Sequence, residues 1–175
     1  IILQYPSRWE PHHAAAQNWG RVRRFRKAQT HLEIARQINP DVAKVLFDLA
    51  SVLYNQAKWD EALHYFRELQ ALAGRDASAQ GRWQVPYFSG VCAQKLEYVE
   101  EAIDAYNRAV NMTTGNRQGD YQKELDIRNR LAGTMLNSGR TPAALYHFKR
   151  LVAMQPNKAE FHYFLGVSYL KLGKL

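Results

Sequence analysis

At 175 residues, with 46% hydrophobic and 23% charged side chains, the chain can bury a continuous core and is too apolar to remain disordered. A single cysteine excludes an internal disulfide framework, and no apolar run approaches the roughly 18 residues of a membrane-spanning helix. The formal charge of +8 leaves an acidic protein, a membrane surface or nucleic acid open as partners.

Residues 1–8, opening Ile1-Ile2-Leu3-Gln4-Tyr5-Pro6, read as the end of a preceding helix or a linker, apolar residues running into a proline stop. From Trp9 the chain alternates two kinds of helical segment. The second kind carries a small residue, an aromatic or Leu four positions later, and a small or aliphatic residue three after that. These sets are Ala28-Leu32-Ala35, Ala62-Phe66-Leu69, Ala102-Tyr106-Ala109 and Ala144-Phe148-Leu151, with breaks at Pro40, Gly74, Thr114 and Pro156. Steps of four and three place each set on one helical face. Ahead of each set lies another amphipathic segment. It holds Ala15-Ala16 in the first unit, Leu46, Leu49, Ala50 and Leu53 in the second, Gly90 and Ala93 in the third, and Leu131, Ala132 and Met135 in the fourth. A last segment with Phe161, Leu165-Gly166 and Tyr169 opens a fifth unit and has no second helix after it.

The units therefore fall near 9–42, 43–76, 83–116 and 125–158, with a partial unit at 159–175. The first and last steps equal about 34 residues, and the middle two are longer by about six and about eight. The surplus falls near 77–82 and 117–124, where Gly74, Gly81, Gly115 and Gly119 mark loops. Asp120 is expected to cap a lengthened first helix in the fourth unit. Asn39-Pro40 and Gln155-Pro156 end helices, Ser138-Gly139 offers a left-handed stop, and Thr141-Pro142 reads as an N-cap followed by proline at the first helical position. Within each hairpin, Ala62, Gly90, Ala102, Ala132, Ala144 and Gly166 are expected to let backbones approach, with Phe66, Tyr106 and Phe148 filling the gaps.

With Leu165-Gly166-Val167-Ser168-Tyr169 and Trp59-Asp60-Glu61-Ala62-Leu63-His64-Tyr65-Phe66 as its best matches, the chain resembles the tetratricopeptide repeat (TPR) family. Ala15-Ala16 departs from the usual Leu-Gly, and Pro86 stands where an aromatic is usual. The resemblance implies an all-α, right-handed superhelical solenoid of antiparallel helix hairpins, a single array over 9–175. It also implies binding of a protein or peptide on a concave face lined by first-helix residues. Carried over by position, that face holds Gln17, Phe47, Asp48, Ser51, Tyr54, Asn55, Tyr87, Phe88, Lys95, Asn129, Arg130, Asn137 and Tyr163. Aromatics supply contact area and amides pair with a backbone, which suits an extended or helical segment. The reverse reading, in which these aromatics only pack against the next hairpin, stays open.

Two specialised forms of the family do not match. A carboxylate clamp would meet repulsion from Asp48, and the asparagine ladder site reads Ala14, Asp48, Phe88, Arg130 and Phe164. The six histidines form no metal motif, and no nucleophile elbow or phosphate-cradling loop is visible, so neither a catalytic residue, a metal nor a cofactor is expected. Cys92, between Val91 and Ala93, reads as a small core residue.

The densest charge, Arg21, Arg23, Arg24, Arg26 and Lys27, surrounds the first hairpin turn; its default is a solvated surface, and Phe25 alone makes a thin case for nucleic acid. The reading is a non-catalytic scaffold, soluble in the cytoplasm or a bacterial periplasm. The alternatives are the recognition arm of a larger enzyme or assembly machine and, less favoured, a basic nucleic-acid-binding repeat. The apolar last helix is expected to be covered by further chain or by self-association.

Overall fold

A computed structural model describes residues 8–40, 42–73, 82–114 and 121–174. The expectations for residues 1–6, for Gly74, Gly81, Gly115 and Gly119, and for the Asp120 cap lie outside them. Among the described residues there are nine α-helices and no strand. In chain order they are α1 (Trp9–Arg21), α2 (Phe25–Ile38), α3 (Ala43–Asn55), α4 (Trp59–Ala73), α5 (Gln84–Lys95), α6 (Val99–Thr113), α7 (Tyr121–Asn137), α8 (Thr141–Met154) and α9 (Ala159–Lys171). Helices of this length are marginal alone in water, so the array is held by burial between neighbours. Each helix packs on the one before and the one after it, and α1 also reaches α3, which produces a solenoid of hairpins.

The anchor sets of the second helices supply the core. Every residue in Ala28-Leu32-Ala35, Ala62-Phe66-Leu69, Ala102-Tyr106-Ala109 and Ala144-Phe148-Leu151 is at most 2% exposed. The first helices contribute Ala16, Ala50, Gly90 and Ala132, all buried at one register. Gly166 at the same register is exposed, and nothing among the described residues lies within 4 Å of where its Cβ would be. The expected close approach at Gly166 is therefore absent among the described residues, none of which forms a helix against it. In α9 only Phe161 and Ser168 are buried, although Phe164 also stacks on Phe148 with centroids 5.4 Å apart.

One backbone device recurs that sequence reasoning found at a single place. A left-handed residue closes every hairpin's first helix: Arg23, Ala57, Glu97, Gly139 and Gly173. After each, the next amide reaches back five residues to close the helix, from Arg24 to Trp19, Lys58 to Leu53, Tyr98 to Ala93, Arg140 to Met135 and Lys174 to Tyr169, at 2.8–3.1 Å. Three of the five sites hold a side chain where glycine is preferred. Ala57→Gly is expected to stabilise the fold by about 0.5–1 kcal/mol, relief of left-handed strain being partly offset by the freer unfolded chain. A thermal melt reads this directly, and a lowered midpoint would contradict it.

Other boundaries follow local chemistry. Asn39 and Gln155, each before a proline, have extended backbones at φ −143 and −134 and end α2 and α8. α7 is lengthened to 17 residues, as expected. Thr141 proves to be the first helical residue and not the cap. Arg140 occupies the cap position without a side-chain capping hydrogen bond, and Thr141 is buried against the hairpin. Pro86 sits in the first turn of α5, where its missing amide has no partner to lose.

Candidate functional site

The sequence placed the site on first-helix residues, and two groups of them meet. The first lies between α1 and α3. His13 Nε2 is 2.8 Å from Asp48 Oδ2, and Gln17 Nε2 donates to the same oxygen at 3.2 Å. Ser51 Oγ donates to the Phe47 carbonyl, and Asn55 Nδ2 to the Ser51 carbonyl, each at 2.7 Å, the four-residue spacing of one helical face. A depression of about 370 Å³ is lined here by Gln17, Arg21, Phe25, Asp48, Ser51 and Asn55 among others. Asp48 is thus already partnered by an imidazole and an amide, a pairing that adjacent His12 and His13 did not signal. The two histidines diverge around α1: the His12 Nδ1 lies 3.3 Å from His31 Nδ1 on α2, where burial and the second imidazole lower its pKa.

The second group spans α3, α5 and α7. The Tyr54 ring meets Phe88 edge-on with centroids 5.0 Å apart, Tyr87 meets Phe88 at 5.1 Å, and the Arg130 guanidinium lies 5.8 Å from the Tyr87 centroid. Beneath them Tyr106 is fully buried, 6.2 Å from Tyr87, and its hydroxyl donates to Gln94 Oε1 at 2.9 Å. Burial, then the neighbouring Tyr87, holds the Tyr54 hydroxyl above its ordinary pKa. For Arg130, partial burial opposes the charge, but Tyr87 and Tyr106 outweigh it and hold the guanidinium firmly protonated. The cluster is therefore an edge-to-face aromatic patch beside a cation, able to take up an apolar side chain and a carboxylate or carbonyl together.

Phe47 and Phe88 are half-buried, and both ring-pack on the core residue Phe66. For these two the packing reading holds at least in part. Lys95, Asn129, Asn137 and Tyr163 lie along α5, α7 and α9, but no hydrogen bond or ring contact ties them to either group among the described residues. Cys92 is fully buried, and burial pushes its thiol up to about 12, which leaves no thiolate for nucleophilic chemistry near neutral pH. Among the described residues no group of three or more His, Cys, Asp and Glu is placed to hold a metal ion, and no helix is long and apolar enough to cross a membrane.

A family model described as Tetratricopeptide repeat matches residues 13–77 and 130–175. The chain belongs to the tetratricopeptide repeat family. Solved structures agree on the fold. The TPR protein YrrB, described as having an unusual peptide-binding site, superposes with a TM-score of 0.80 at 20% identity, over 99% of this chain and 82% of its own. MamA superposes at 0.78 with 14% identity, over 95% and 83%. MamA from Desulfovibrio magneticus RS-1 gives 0.76 and 13%, over 95% and 86%. No curated protein matches by sequence. This TPR chain is thus an all-α superhelical solenoid, and its first helices present the two groups above.

Proposed function

We propose that the chain is a non-catalytic protein-interaction scaffold whose concave face holds an extended or helical segment of a protein partner. One observation carries this reading: Tyr54, Tyr87, Phe88 and Arg130 come from three separate first helices and converge in a single aromatic and cationic cluster. Such rings lose little conformational entropy on contact, and a preset guanidinium costs little to reorganise, so the surface suits a peptide more than a small substrate. Membership of a family that includes a peptide-binding protein of the same fold supports it. The polar floor beside the cluster, formed by Gln17, Ser51 and Asn55, suits the backbone of the same segment.

The test begins with a pull-down under mild salt, followed by titration calorimetry with the captured partner. Replacing Asn55 and Arg130 together with Ala is expected to weaken that partner by about 2–4 kcal/mol while helicity by circular dichroism stays unchanged. Unchanged affinity in the double variant would remove the site from this face.

A further inference from the structure

We infer that the turn joining α1 to α2 is a second contact surface, which receives an acidic stretch of the protein partner held in the groove. The inference rests on the groove reading above. Between Glu10 and Glu33 the sequence holds no carboxylate, yet Arg21, Arg23, Arg24, Arg26 and Lys27 all fall in this interval and all are exposed.

Elsewhere three arginines, two on second helices and Arg140 at the cap of α8, are neutralised from one hairpin to the next. Arg36 pairs with Glu68 at 3.0 Å, Arg67 with Glu101 at 2.6 Å, and Arg140 with Glu100. None of the five turn cations has an ion pair among the described residues. The first turns of α4 and α6 carry Asp60 with Glu61 and Glu100 with Glu101, whereas the first turn of α2 holds Arg26 and Lys27 and no acid. Five exposed cations with no carboxylate between Glu10 and Glu33 make this turn a local positive patch, left for something outside the hairpin to neutralise.

Shape selects among the possible anions. Arg23, Arg24, Phe25, Arg26 and Lys27, with Gln56 from the next hairpin, line a depression of about 480 Å³. A bilayer cannot enter a concavity of that size, but a peptide carrying carboxylates can. Single-stranded RNA calls for open aromatic faces beside the cations. Here the Trp19 ring is already covered by Lys27 Nζ, 4.4 Å from its centroid, and Phe25 is half-buried. Phe25 also lines the α1–α3 depression that contains Asp48 and Asn55, so the basic turn continues the groove. A segment lying in the groove reaches the cations without leaving the surface.

The test uses the whole chain and fluorescence anisotropy with four probes: a labelled peptide of alternating Glu and Ala, its Gln-for-Glu counterpart, an oligouridine, and phosphatidylserine vesicles. The Glu peptide is expected to bind and the Gln peptide to bind far less. In Arg23→Glu/Arg24→Glu/Arg26→Glu the association rate for the Glu peptide should fall by about tenfold or more at low salt, and raising the salt should produce the same loss in the parent chain. The milder Arg23→Gln/Arg24→Gln/Arg26→Gln should give an intermediate loss, with circular dichroism confirming that both variants stay folded. No binding of the Glu peptide, equal binding by the parent and the reversed variant, or oligouridine or vesicles held as tightly as the Glu peptide would each overturn the inference. Arg130→Ala separates the two readings. If it leaves the captured partner's affinity intact while the charge reversal abolishes Glu-peptide binding, the groove fails and the basic turn stands; the opposite pattern removes the basic turn alone.

Discussion

Replacing Arg128 with Ala is expected to destabilise the fold by about 3–5 kcal/mol, because it strands a buried carboxylate. Arg128 and Glu124, one turn apart on α7, are 4% and 7% exposed, and the guanidinium donates to Glu124 Oε1. Its second nitrogen lies 3.2 Å from His147 Nδ1 on α8. Replacing both charges, Glu124→Leu with Arg128→Met, is expected to be neutral or stabilising, because the desolvation cost disappears along with the attraction. Urea denaturation of the two variants should therefore move the midpoint far down in one and little or upward in the other. A small loss from Arg128→Ala alone would show that water reaches this pair.

The same cluster sets a pH dependence. Burial, then the Arg128 charge, lowers His147 from 6.5 to about 4, so the folded chain keeps it neutral and able to accept a hydrogen bond from Arg128. Below pH 6.5 the unfolded chain takes up a proton that the folded chain refuses. Stability is then complete above that value and lost as pH falls toward 4, by about 1–2 kcal/mol once the half-exposed ring's contact with solvent is allowed for. Denaturation midpoints at several pH values check this, and His147→Gln should flatten the slope.

Gly90 and Gly166 occupy the same register in two first helices, yet alanine is expected to act oppositely at them. At Gly90 a Cβ would fall 2.9 Å from both Cδ1 and Cε1 of Tyr106. That ring is fully buried and tethered through its hydroxyl to Gln94, so it has nowhere to retreat. Gly90→Ala should cost about 1–3 kcal/mol, and Tyr106→Ala, which opens the corresponding cavity, about 3–5 kcal/mol. At Gly166 nothing lies within 4 Å, so Ala should only improve the helix, by up to about 1 kcal/mol. Thermal melts should shift down for Gly90→Ala and up for Gly166→Ala. A shift in the same direction for both would mean that the Gly90 contact relaxes freely.

The repeat architecture was legible in the residues because the burying face of each second helix repeats with steps of four and three, and one hairpin can bury that face only by stacking on the next. Ala62-Phe66-Leu69 and its counterparts therefore announce both the helix and its neighbour. The residues of the proposed ligand face could be nominated as well, since Tyr54, Tyr87 and Arg130 recur on the first helices outside the packing register. What the sequence did not carry was which of them meet. Tyr54 and Phe88 lie 34 positions apart, and Tyr87 and Arg130 lie 43 apart across a stretch longer than the ordinary repeat, so a fixed period cannot rank Arg130 over Asn129 or Asn137. The partnering of Asp48 by His13 and the burial of Glu124 with Arg128 were hidden for a related reason: a polar residue looks the same in sequence whether it faces solvent or is covered by a neighbouring helix. Gly166 reads like Gly90 in the chain, yet among the described residues Gly90 packs against Tyr106 and nothing packs against Gly166. Local periodicity thus determined the helices and their stacking, whereas contacts between side chains of different hairpins, which depend on the rotation of one hairpin relative to the next, were decided by the tertiary structure alone.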